Sequence, residues 1–322
     1  MGVSRTKAGS VLYLGVLATS TASILIRYAQ ATAPSLVIAA GRMVLAALVL
    51  APLALLRHRA ELRGLRRAQV FEALLAGFLL AVHFATWITS LRYTSVASSV
   101  VFVTTTPLWV GLLSPLILKE KLGRKLVIGL AVALLGGIVV GLSDSCQLSL
   151  AGLSCPAAAE FWGGRAILGD LLAVAGAVTA AGYMIIGRRL RAEFTLVPYT
   201  FVVYGMAALV LCLFLLPARL NPFVYPAPTY AWLLALALVP QLLGHTTFNW
   251  ALRYLPASFV SVALLGEPIG STVLALLLLG ETPSPMKVGG AVLILGGIFV
   301  AARQGPGAAD SPVEAAAVLE AE

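Results

Sequence analysis

Ten long stretches of this chain carry almost no charged side chains, and they constrain the fold more than any other feature. A helix needs about 20 residues to cross the ~30 Å hydrocarbon core of a bilayer, and each stretch is close to that length. The stretches are 9–26, 35–56, 71–90, 96–118, 126–143, 166–187, 197–216, 230–250, 256–279 and 287–302. They are apolar on every face, whereas transmembrane strands alternate. The sequence therefore predicts an all-α integral membrane protein with ten transmembrane helices.

The charged residues indicate how these helices are oriented. Only 11% of the 322 residues are charged and 60% are apolar, whereas about a quarter of a soluble domain is charged. Most Lys and Arg residues fall in connections on the side of the bundle that also holds both termini. By the positive-inside rule this side is cytoplasmic in a multi-pass cell-membrane protein. The net charge of +9 is thus a topology signal, and we expect no nucleic-acid partner.

The chain also repeats itself at a constant offset in residue number. Leu91-Arg92-Tyr93 recurs as Leu252-Arg253-Tyr254, and this spacing is called the repeat offset below. At the same offset Pro107 recurs as Pro268 and Glu120 as Glu281, and, one residue out of register, 136–138 recurs as 296–298. Each copy holds five spans, an odd number, so the second copy must enter the membrane from the opposite side. The sequence predicts two inverted five-helix repeats.

These landmarks divide the chain into five parts. The two repeats cover residues 9–143 and 166–302, and an external loop, 144–165, joins them. We expect residues 1–8 to form a cytoplasmic segment before a retained first helix. Residues 303–322 are rich in Ala, Gly and Pro, and we expect a disordered cytoplasmic tail. Cys146 and Cys155 lie in the external loop, where an oxidising compartment would permit a disulfide. The sequence does not decide between this disulfide and two unpaired thiols.

Inverted repeats favour a transporter, because two such halves can exchange conformations and expose a central site to each side in turn. A membrane-embedded enzyme or lipid-handling protein is the alternative, and a channel is a third. The sequence has no Gly-rich phosphate loop, nucleophile elbow or paired intramembrane carboxylates. We therefore expect no enzyme activity, no cofactor and no ATP-driven pumping.

Two sets of short motifs carry a resemblance to a known family. In the first repeat they are residues 93–98 (YTSVAS), 106–109 (TPLW), 118–123 (LKEKLG) and 136–138 (GGI). In the second they are 255–258 (LPAS), 266–268 (GEP), 279–281 (LGE) and 296–298 (GGI). Together they resemble EamA domains, the repeat unit of bacterial drug/metabolite transporters. The resemblance implies ten helices, cytoplasmic termini, a central cavity and transport of small metabolites such as amino acids, often outward.

Two ionisable residues lie deep inside spans, where charge is costly and functional roles are common. Arg42, in the second span, matches an arginine common in the resembling family. It could bind a substrate carboxylate through its planar fork, or be a structural cation neutralised by Glu267 or by carbonyls. Glu267, in the ninth span, could exchange a proton during transport, or be a hydrogen-bonded structural residue before a kinking proline.

Two histidines occupy near-equivalent places in the repeats. His83 shares a helix face with Trp87, and His245 shares one with Asn249, because each pair is four residues apart. A role in a cavity and a structural hydrogen-bonding role are both open. No further His, Cys or carboxylate stands at ligand spacing, so we predict no metal site.

The remaining candidates lie on the fourth, seventh and ninth spans. Ser99 and Thr106 form part of a polar stripe, and Tyr204 is deep enough to face a cavity, whereas other tyrosines suit interfacial belts. Pro107 and Pro268 each remove a backbone hydrogen bond, so we expect a symmetric pair of kinks facing the cavity. The sequence does not identify the substrate or the coupling ion, for which protons are the candidate. It also does not decide between a monomer and a homodimer.

Overall fold

The computed structural model describes residues 5–118, 124–143, 146–149, 152–154, 164–255 and 257–302. Nearly all of these residues are helical. The exception to the all-α prediction is an antiparallel hairpin between the two repeats, β1 (Gln147–Ser149) and β2 (Gly152–Ser154), in which Leu148 pairs with Leu153. The tail at 303–322 and residues 1–4 lie outside the described residues. Cys146 is disulfide-bonded, and Cys155, the partner expected from the sequence, is not among the described residues.

Eight helices occur among the described residues of the N-terminal half. They are α1 (Arg5–Ser20), α2 (Ala22–Gln30), α3 (Ser35–Arg57), α4 (Arg59–Arg63), α5 (Arg67–Ser90), α6 (Val96–Val103), α7 (Thr106–Leu118) and α8 (Arg124–Ser143). The described part of the C-terminal half contains seven α-helices and one π-helix. They are α9 (Arg165–Glu193), α10 (Leu196–Leu215), α11 (Ala227–Leu236), π1 (Ala237–His245), α12 (Thr246–Ala251), α13 (Ala257–Ala263), α14 (Gly266–Leu279) and α15 (Pro285–Ala302).

The two halves begin their helices at matching places. Six helix starts recur at the repeat offset or one residue short of it: Arg5 and Arg165, Ser35 and Leu196, Arg67 and Ala227, Val96 and Ala257, Thr106 and Gly266, and Arg124 and Pro285. The repeat offset found in the short sequence motifs thus also relates the described helices of the two halves. The exceptions are α2, α4, π1 and α12, of which the last two continue α11.

Seven helical segments of the described residues are long and apolar enough to cross a membrane, and three more are apolar but shorter. The seven are Val11–Gln30, Ser35–Arg57, Arg67–Ser90, Val96–Leu113, Arg165–Glu193, Leu196–Leu215 and Ala227–Ala251, and the shorter three are Val127–Val140, Gly266–Leu279 and Pro285–Gly297. Large apolar side chains such as Leu56 and Leu277 point outward, 81% and 71% exposed. An outer surface of this kind belongs in lipid.

The fourth and ninth predicted spans are each broken in the middle. The first break, at Thr104 and Thr105, comes just before Pro107, and the second, at Leu264 and Leu265, comes just before Pro268. Both prolines therefore lie in the first turn of the following helix, where a missing N–H is tolerated. The Val103 carbonyl, four residues before Pro107, instead accepts a 2.8 Å hydrogen bond from the Thr106 hydroxyl.

The eighth predicted span contains the π-helix π1. Pro240 lies inside it, and His245 ends it. A π-helix widens the turn and is frequent at functional sites, and here it leads directly into α12, which carries Asn249. The corresponding part of the first half, within α5, is regular α-helix. The two halves thus differ in backbone conformation at this point, although the starts of their helices match.

Contacts between the halves follow the repeat. Helix α3 packs on α10 and α8 packs on α15, so two helices contact their own counterparts. Helix α5 packs on α9, and in the same way π1 packs on α1. Helix α7 contacts α13, while α6 contacts α14. Exchanging the halves therefore maps this set of contacts onto itself.

Close approach of α8 and α15 depends on particular glycines. A Cβ on Gly297 would lie 2.6 Å from the Ala133 nitrogen, and one on Gly136 would lie 2.7 Å from the Gly290 carbonyl oxygen. Small residues at such positions let helices pack closely in membranes. A Cβ on Gly296 would meet nothing within 4 Å among the described residues, so the two neighbouring glycines of this motif are not equivalent.

Candidate functional site

A cavity lies between the two halves, and helices of both supply its walls. It encloses about 590 Å³ of space free of protein atoms, counting its open mouth. Its lining residues are Leu80, His83, Trp87, Val103, Thr104, Thr106, Ala180, Tyr183, Met184, His245, Phe248, Asn249, Leu252, Leu264 and Glu267. A mostly apolar wall with a few polar groups is typical of small-molecule sites.

Six residues singled out from the sequence line this cavity: His83, Trp87, Thr106, His245, Asn249 and Glu267. Arg42, Ser99 and Tyr204 are fully buried but are not among the lining residues. The kink prolines, Pro107 and Pro268, are also not lining residues, although their neighbours Thr106 and Glu267 are. The prolines thus shape the backbone beside the cavity.

The two histidines meet across the centre of the bundle. Their ring centroids are 6.3 Å apart, and the His83 ring stacks on Trp87 at 5.9 Å. His83 Nδ1 lies 2.9 Å from the Gly176 carbonyl oxygen, so Nδ1 carries the proton in this contact. The Trp87 indole nitrogen is buried and has no hydrogen-bond partner among the described residues. It leaves a donor available at the cavity wall.

Asn249 is the centre of a chain of buried hydrogen bonds. Its side-chain oxygen accepts a 2.5 Å hydrogen bond from the Tyr183 hydroxyl, and its nitrogen donates to the Tyr204 hydroxyl at 3.1 Å. The Tyr204 hydroxyl is 3.2 Å from that of Thr246, which donates to the Gln241 carbonyl at 3.3 Å. The same tyrosine hydroxyl also interacts with the Gln241 side chain. Tyr204 therefore supports the cavity wall from behind.

Arg42 is held by neutral groups. Its side chain is 0% exposed, its Nε donates a 2.8 Å hydrogen bond to Gln241 Oε1, and its guanidinium carbon lies 4.1 Å over the Phe84 ring. Salt bridges between described residues join Arg27 to Glu281, His58 to Glu61, Arg66 to Glu193 and Arg189 to Glu72, and Arg42 takes part in none of them. Arg42 and Glu267 thus form no salt bridge in this conformation, although they interact electrostatically.

Glu267 lies in the first turn of α14 with its side chain buried at the cavity. Its carboxylate interacts with the Thr19 hydroxyl and electrostatically with Arg42. Thr106, its counterpart at the repeat offset, also lines the cavity, and its hydroxyl donates to backbone carbonyls. An acid thus faces the cavity from the C-terminal half, where the N-terminal half presents a hydroxyl.

Ser99 has a packing role in this structure. Its hydroxyl is 2.6 Å from that of Ser90 and is fully buried between α5 and α6. Two serines that hydrogen-bond to each other hold neighbouring helices together. The Ser90 hydroxyl also donates to the carbonyl of Trp87, a lining residue, so Ser99 is joined to the cavity wall through Ser90.

Sequence reasoning missed three residues of the site. Tyr183 was expected in an interfacial belt, but it is 5% exposed and lines the cavity, because α9 continues to Glu193. Phe84 and Gln241 contact Arg42 and were not singled out. For Gln241 the available signal was an amide beside Pro240 in an apolar span, since a polar group there needs a partner.

One end of the bundle is joined across the halves by charged groups. Glu281 pairs with Arg27 at 3.1 Å and accepts a 2.8 Å hydrogen bond from the Val96 N–H, the first residue of α6. Arg27 also donates to the Thr94 carbonyl at 2.9 Å, and Lys287 Nζ donates to the Ser95 hydroxyl at 2.9 Å. Helices α2, α6, α14 and α15 therefore meet at this end.

Two contacts, one at each end of the bundle, are related by the repeat. Arg191 Nε donates to the Asn249 carbonyl at 2.9 Å, and Gln30 Nε2 donates to the Ile88 carbonyl at 2.7 Å. The two donors are related by the repeat offset, and so are the two acceptors. Arg188, the counterpart of Arg27, donates to the Leu252 carbonyl at 2.7 Å. The same tie between helices thus occurs once in each half.

No group of three or more His, Cys, Asp or Glu side chains able to hold a metal occurs in the part of the chain that the structure describes. Two histidines, His83 and His245, line the cavity, and Glu267 is the one acid among its lining residues. The chemistry of this site is therefore that of hydrogen bonds, charge and aromatic surface.

Known proteins resemble this chain in sequence and in fold. The model of the EamA-like transporter family matches residues 7–142 and again residues 167–303. The uncharacterized transporter YetK of Bacillus subtilis is 25% identical over 65% of this chain and 60% of its own length, so the chain matches less than two thirds of YetK. The pseudopaline exporter CntI of Pseudomonas aeruginosa is 27% identical over 89% of this chain and 93% of CntI. A crystal structure of another protein superposes with a TM-score of 0.62 at 22% identity, over 92% of this chain and 97% of that one, which shows the fold.

Proposed function

Because the chain belongs to the EamA-like transporter family, we propose that it is a secondary transporter that exports small metabolites such as amino acids across the cell membrane. The family and the long apolar helices make it a multi-pass membrane protein. In the proposed mechanism the two halves rock around the central cavity, which opens first to one side and then to the other. Substrate binds in the cavity near the midplane.

The observation that carries this proposal is the position of the cavity between matched residues of the two halves. Trp87 faces it from one half, and Phe248, its counterpart at the repeat offset, faces it from the other. The same relation holds for Val103 and Leu264, as for Thr106 and Glu267. A site on the axis of a repeat is the arrangement that alternating access requires.

Two observations support ten membrane helices in two inverted repeats, 9–143 and 166–302. Six helix starts recur at the repeat offset to within one residue, and the contacts between helices are unchanged when the halves are exchanged. Each half holds an odd number of predicted spans, so the repeats would be antiparallel. The two ranges matched by the family model agree with this division.

The pattern of charged contacts supports cytoplasmic termini. Arg27, Glu281 and Lys287, which the positive-inside rule places outside, lie at one end with their partners. Arg66 and Glu193, which it places inside, contact each other. Each of these contacts joins residues assigned to the same side. In this topology the end that carries Glu281 is the external end, where Glu281 joins the two halves through Arg27 and Val96.

The outward direction and the amino-acid-like substrate rest on the family resemblance and on CntI, named as an exporter of pseudopaline. Transport in proteoliposomes tests the function. We expect uptake of a radiolabelled amino acid to saturate and to accelerate when unlabelled amino acid is inside, relative to empty liposomes. Unsaturable flux would indicate a channel. An absence of flux for a broad panel of metabolites would favour the lipid-handling or enzymatic alternative.

We also propose protons as the coupling ion, with Glu267 as the carboxyl group that takes them up. The support is its burial at the cavity and its lack of a salt bridge with any described residue. Glu267→Gln should abolish the response of transport to an imposed pH gradient and spare exchange. Glu72→Gln, at an ion-paired glutamate outside the cavity, serves as the control. An unchanged gradient response in Glu267→Gln returns Glu267 to a structural role.

A further inference from the structure

The connection between α3 and α5 is strongly basic. Residues 57–67, called the arginine segment below, contain five arginines, all exposed: Arg57, Arg59, Arg63, Arg66 and Arg67. Among the described residues Arg66 pairs with Glu193 at 2.6 Å, and the other four arginines form no ion pair. Arg59 and Arg63 are four residues apart on α4, where like charges repel each other. The arginine segment therefore attracts negative charge from outside the described chain.

The acid within the arginine segment, Glu61, is used to fasten the segment to the bundle. Its two oxygens accept hydrogen bonds from the Thr195 N–H at 2.8 Å and from the Thr195 hydroxyl at 2.6 Å, just before α10. Arg66 and Gln69 both donate to Glu193, the last residue of α9. The arginine segment is thus held against the connection between α9 and α10, and its other arginines are presented on a fixed support.

The arginine segment lies at the depth of the lipid headgroups. Leu56, the residue before Arg57, is 81% exposed, and Phe71, four residues after Arg67, is 68% exposed. Large apolar side chains with this exposure belong in the hydrocarbon of the membrane. A helix rises about 1.5 Å per residue, so the guanidinium groups beside Leu56 and Phe71 reach the polar layer that borders the hydrocarbon core. Phospholipid phosphate groups occupy this layer.

The repeat shows that the fold does not require this cluster of charge. At the repeat offset the arginine segment corresponds to residues 218–228, which hold one basic residue, Arg219. The counterparts of the five arginines are all apolar: Ala218, Leu220, Val224, Ala227 and Pro228. The orientation of the protein needs positive charge in the cytoplasmic connections, but it does not need five arginines on one fastened segment. The cluster therefore indicates a binding surface.

We propose that the arginine segment binds the phosphate groups of anionic phospholipids at the end of the bundle assigned to the cytoplasm. A guanidinium matches two oxygens of a phosphate, and basic clusters directly beside a membrane helix attract anionic lipid. Leu56 and Phe71 contact the acyl chains of the bound lipid. None of the five arginines lines the central cavity, so this lipid site is separate from the proposed substrate site and does not depend on transport.

A lipid titration of the purified full-length protein tests the proposal. The protein is kept in a neutral detergent, and Tm is measured while phosphatidylglycerol or phosphatidylcholine is added in mixed micelles. A ligand that binds the folded state raises Tm. We expect phosphatidylglycerol to act at concentrations at least about 10-fold lower than phosphatidylcholine, and high salt to weaken the difference by screening exposed charges. Glycerol 3-phosphate, which lacks acyl chains, should not change Tm at the same concentrations.

A double variant assigns the effect to the arginine segment. Arg59→Gln combined with Arg63→Gln removes two charges from exposed side chains. Each basic residue near an anionic membrane contributes about fivefold to binding. The variant should therefore need on the order of 10- to 30-fold more phosphatidylglycerol to reach half of the Tm shift. The control, Arg124→Gln combined with Arg253→Gln, removes the same charge from exposed arginines on other elements and should respond like the unaltered protein.

Four results would overturn the proposal. Equal Tm shifts with phosphatidylglycerol and phosphatidylcholine would show that the headgroup charge is not recognised. An equal loss of response in the two double variants would indicate diffuse attraction to the whole basic surface. An equal shift with glycerol 3-phosphate would assign the arginine segment to a soluble phosphate compound. Stabilisation by poly-glutamate and not by phosphatidylglycerol would assign it to an acidic protein. Each of these results leaves the proposed transport function intact.

Discussion

The contact between Arg27, Glu281 and Val96 makes a quantitative prediction about how one end of the protein stays closed. Glu281→Gln removes the charge and leaves one acceptor where two oxygens now bind Arg27 and the Val96 N–H. The Arg27 and Glu281 side chains are 25% and 29% exposed, so their pairing contributes only about 0.2–1 kcal/mol. A carboxylate at a helix N-terminus adds roughly 0.3–1 kcal/mol.

These contributions sum to about 0.5–2 kcal/mol, which corresponds to a change of roughly 2- to 30-fold in a two-state equilibrium. If the contact is made only when this end is closed, Glu281→Gln should raise the population of the open state by that factor. Ala97 is 8% exposed and lines a small cavity beside Glu281. A cysteine introduced there reports opening through its rate of reaction with a membrane-impermeant thiol reagent.

The measurement uses Ala97→Cys in a background that lacks the free thiol of Cys212. Glu281→Gln should accelerate labelling about 2- to 30-fold. Glu193→Gln, which neutralises an exposed glutamate paired with Arg66, should leave the rate unchanged. Thermal unfolding separates opening from loss of structure, since opening changes labelling much more than Tm. An unchanged labelling rate in Glu281→Gln would refute the reasoning that this contact holds the end closed.

Two further substitutions test the packing and the repeat. Gly297→Ala should lower the stability of the α8–α15 pair by about 1–3 kcal/mol, because its Cβ would meet the Ala133 backbone. The neighbouring Gly296→Ala has open space for its Cβ among the described residues and should be neutral. Equal changes in Tm for the two variants would contradict this packing. Arg191→Leu should destabilise the protein, and Arg191→Gln should destabilise it much less, because Gln30 makes the repeat-related contact to a carbonyl with a glutamine side chain. An equal loss of stability in the two Arg191 variants would show that a glutamine cannot replace Arg191 in this contact.

The sequence predicts well where the helices of this protein lie and where two of them are interrupted. These features depend on residues that are close together along the chain. Charge-free stretches of about 20 residues can be identified without any knowledge of packing. Pro107 and Pro268 correctly locate the interruptions of two spans, since a proline removes a hydrogen bond wherever it stands. The π-helix ending at His245 was not predicted, because a wider turn has no distinct apolar pattern.

The site was less predictable, because it depends on where helices end and what they touch. Tyr183 was placed near the end of a span at 166–187, yet α9 runs to Glu193. The arginines near that end bind carbonyls of the next helices, so the helix need not stop before them. Arg42 was recognised as unusual, but its neutral partners, Gln241 and Phe84, follow from the crossing of α3 with π1 and α5.

The network of buried polar side chains behind the cavity belongs to the C-terminal half and has no counterpart in the N-terminal half. This difference indicates which residues are polar for a reason other than the stability of the fold. Tyr204, Gln241 and Asn249 correspond, at the repeat offset, to Met43, Leu80 and Ile88. These three apolar residues are fully buried, so the equivalent positions pack well without hydrogen bonds. Buried polar groups are costly unless they are fully hydrogen-bonded, and a fold that needs none in one half gains no stability from adding them in the other. The polar network therefore supports the proposed role of this cavity as the substrate site, to which Asn249 contributes a lining side chain.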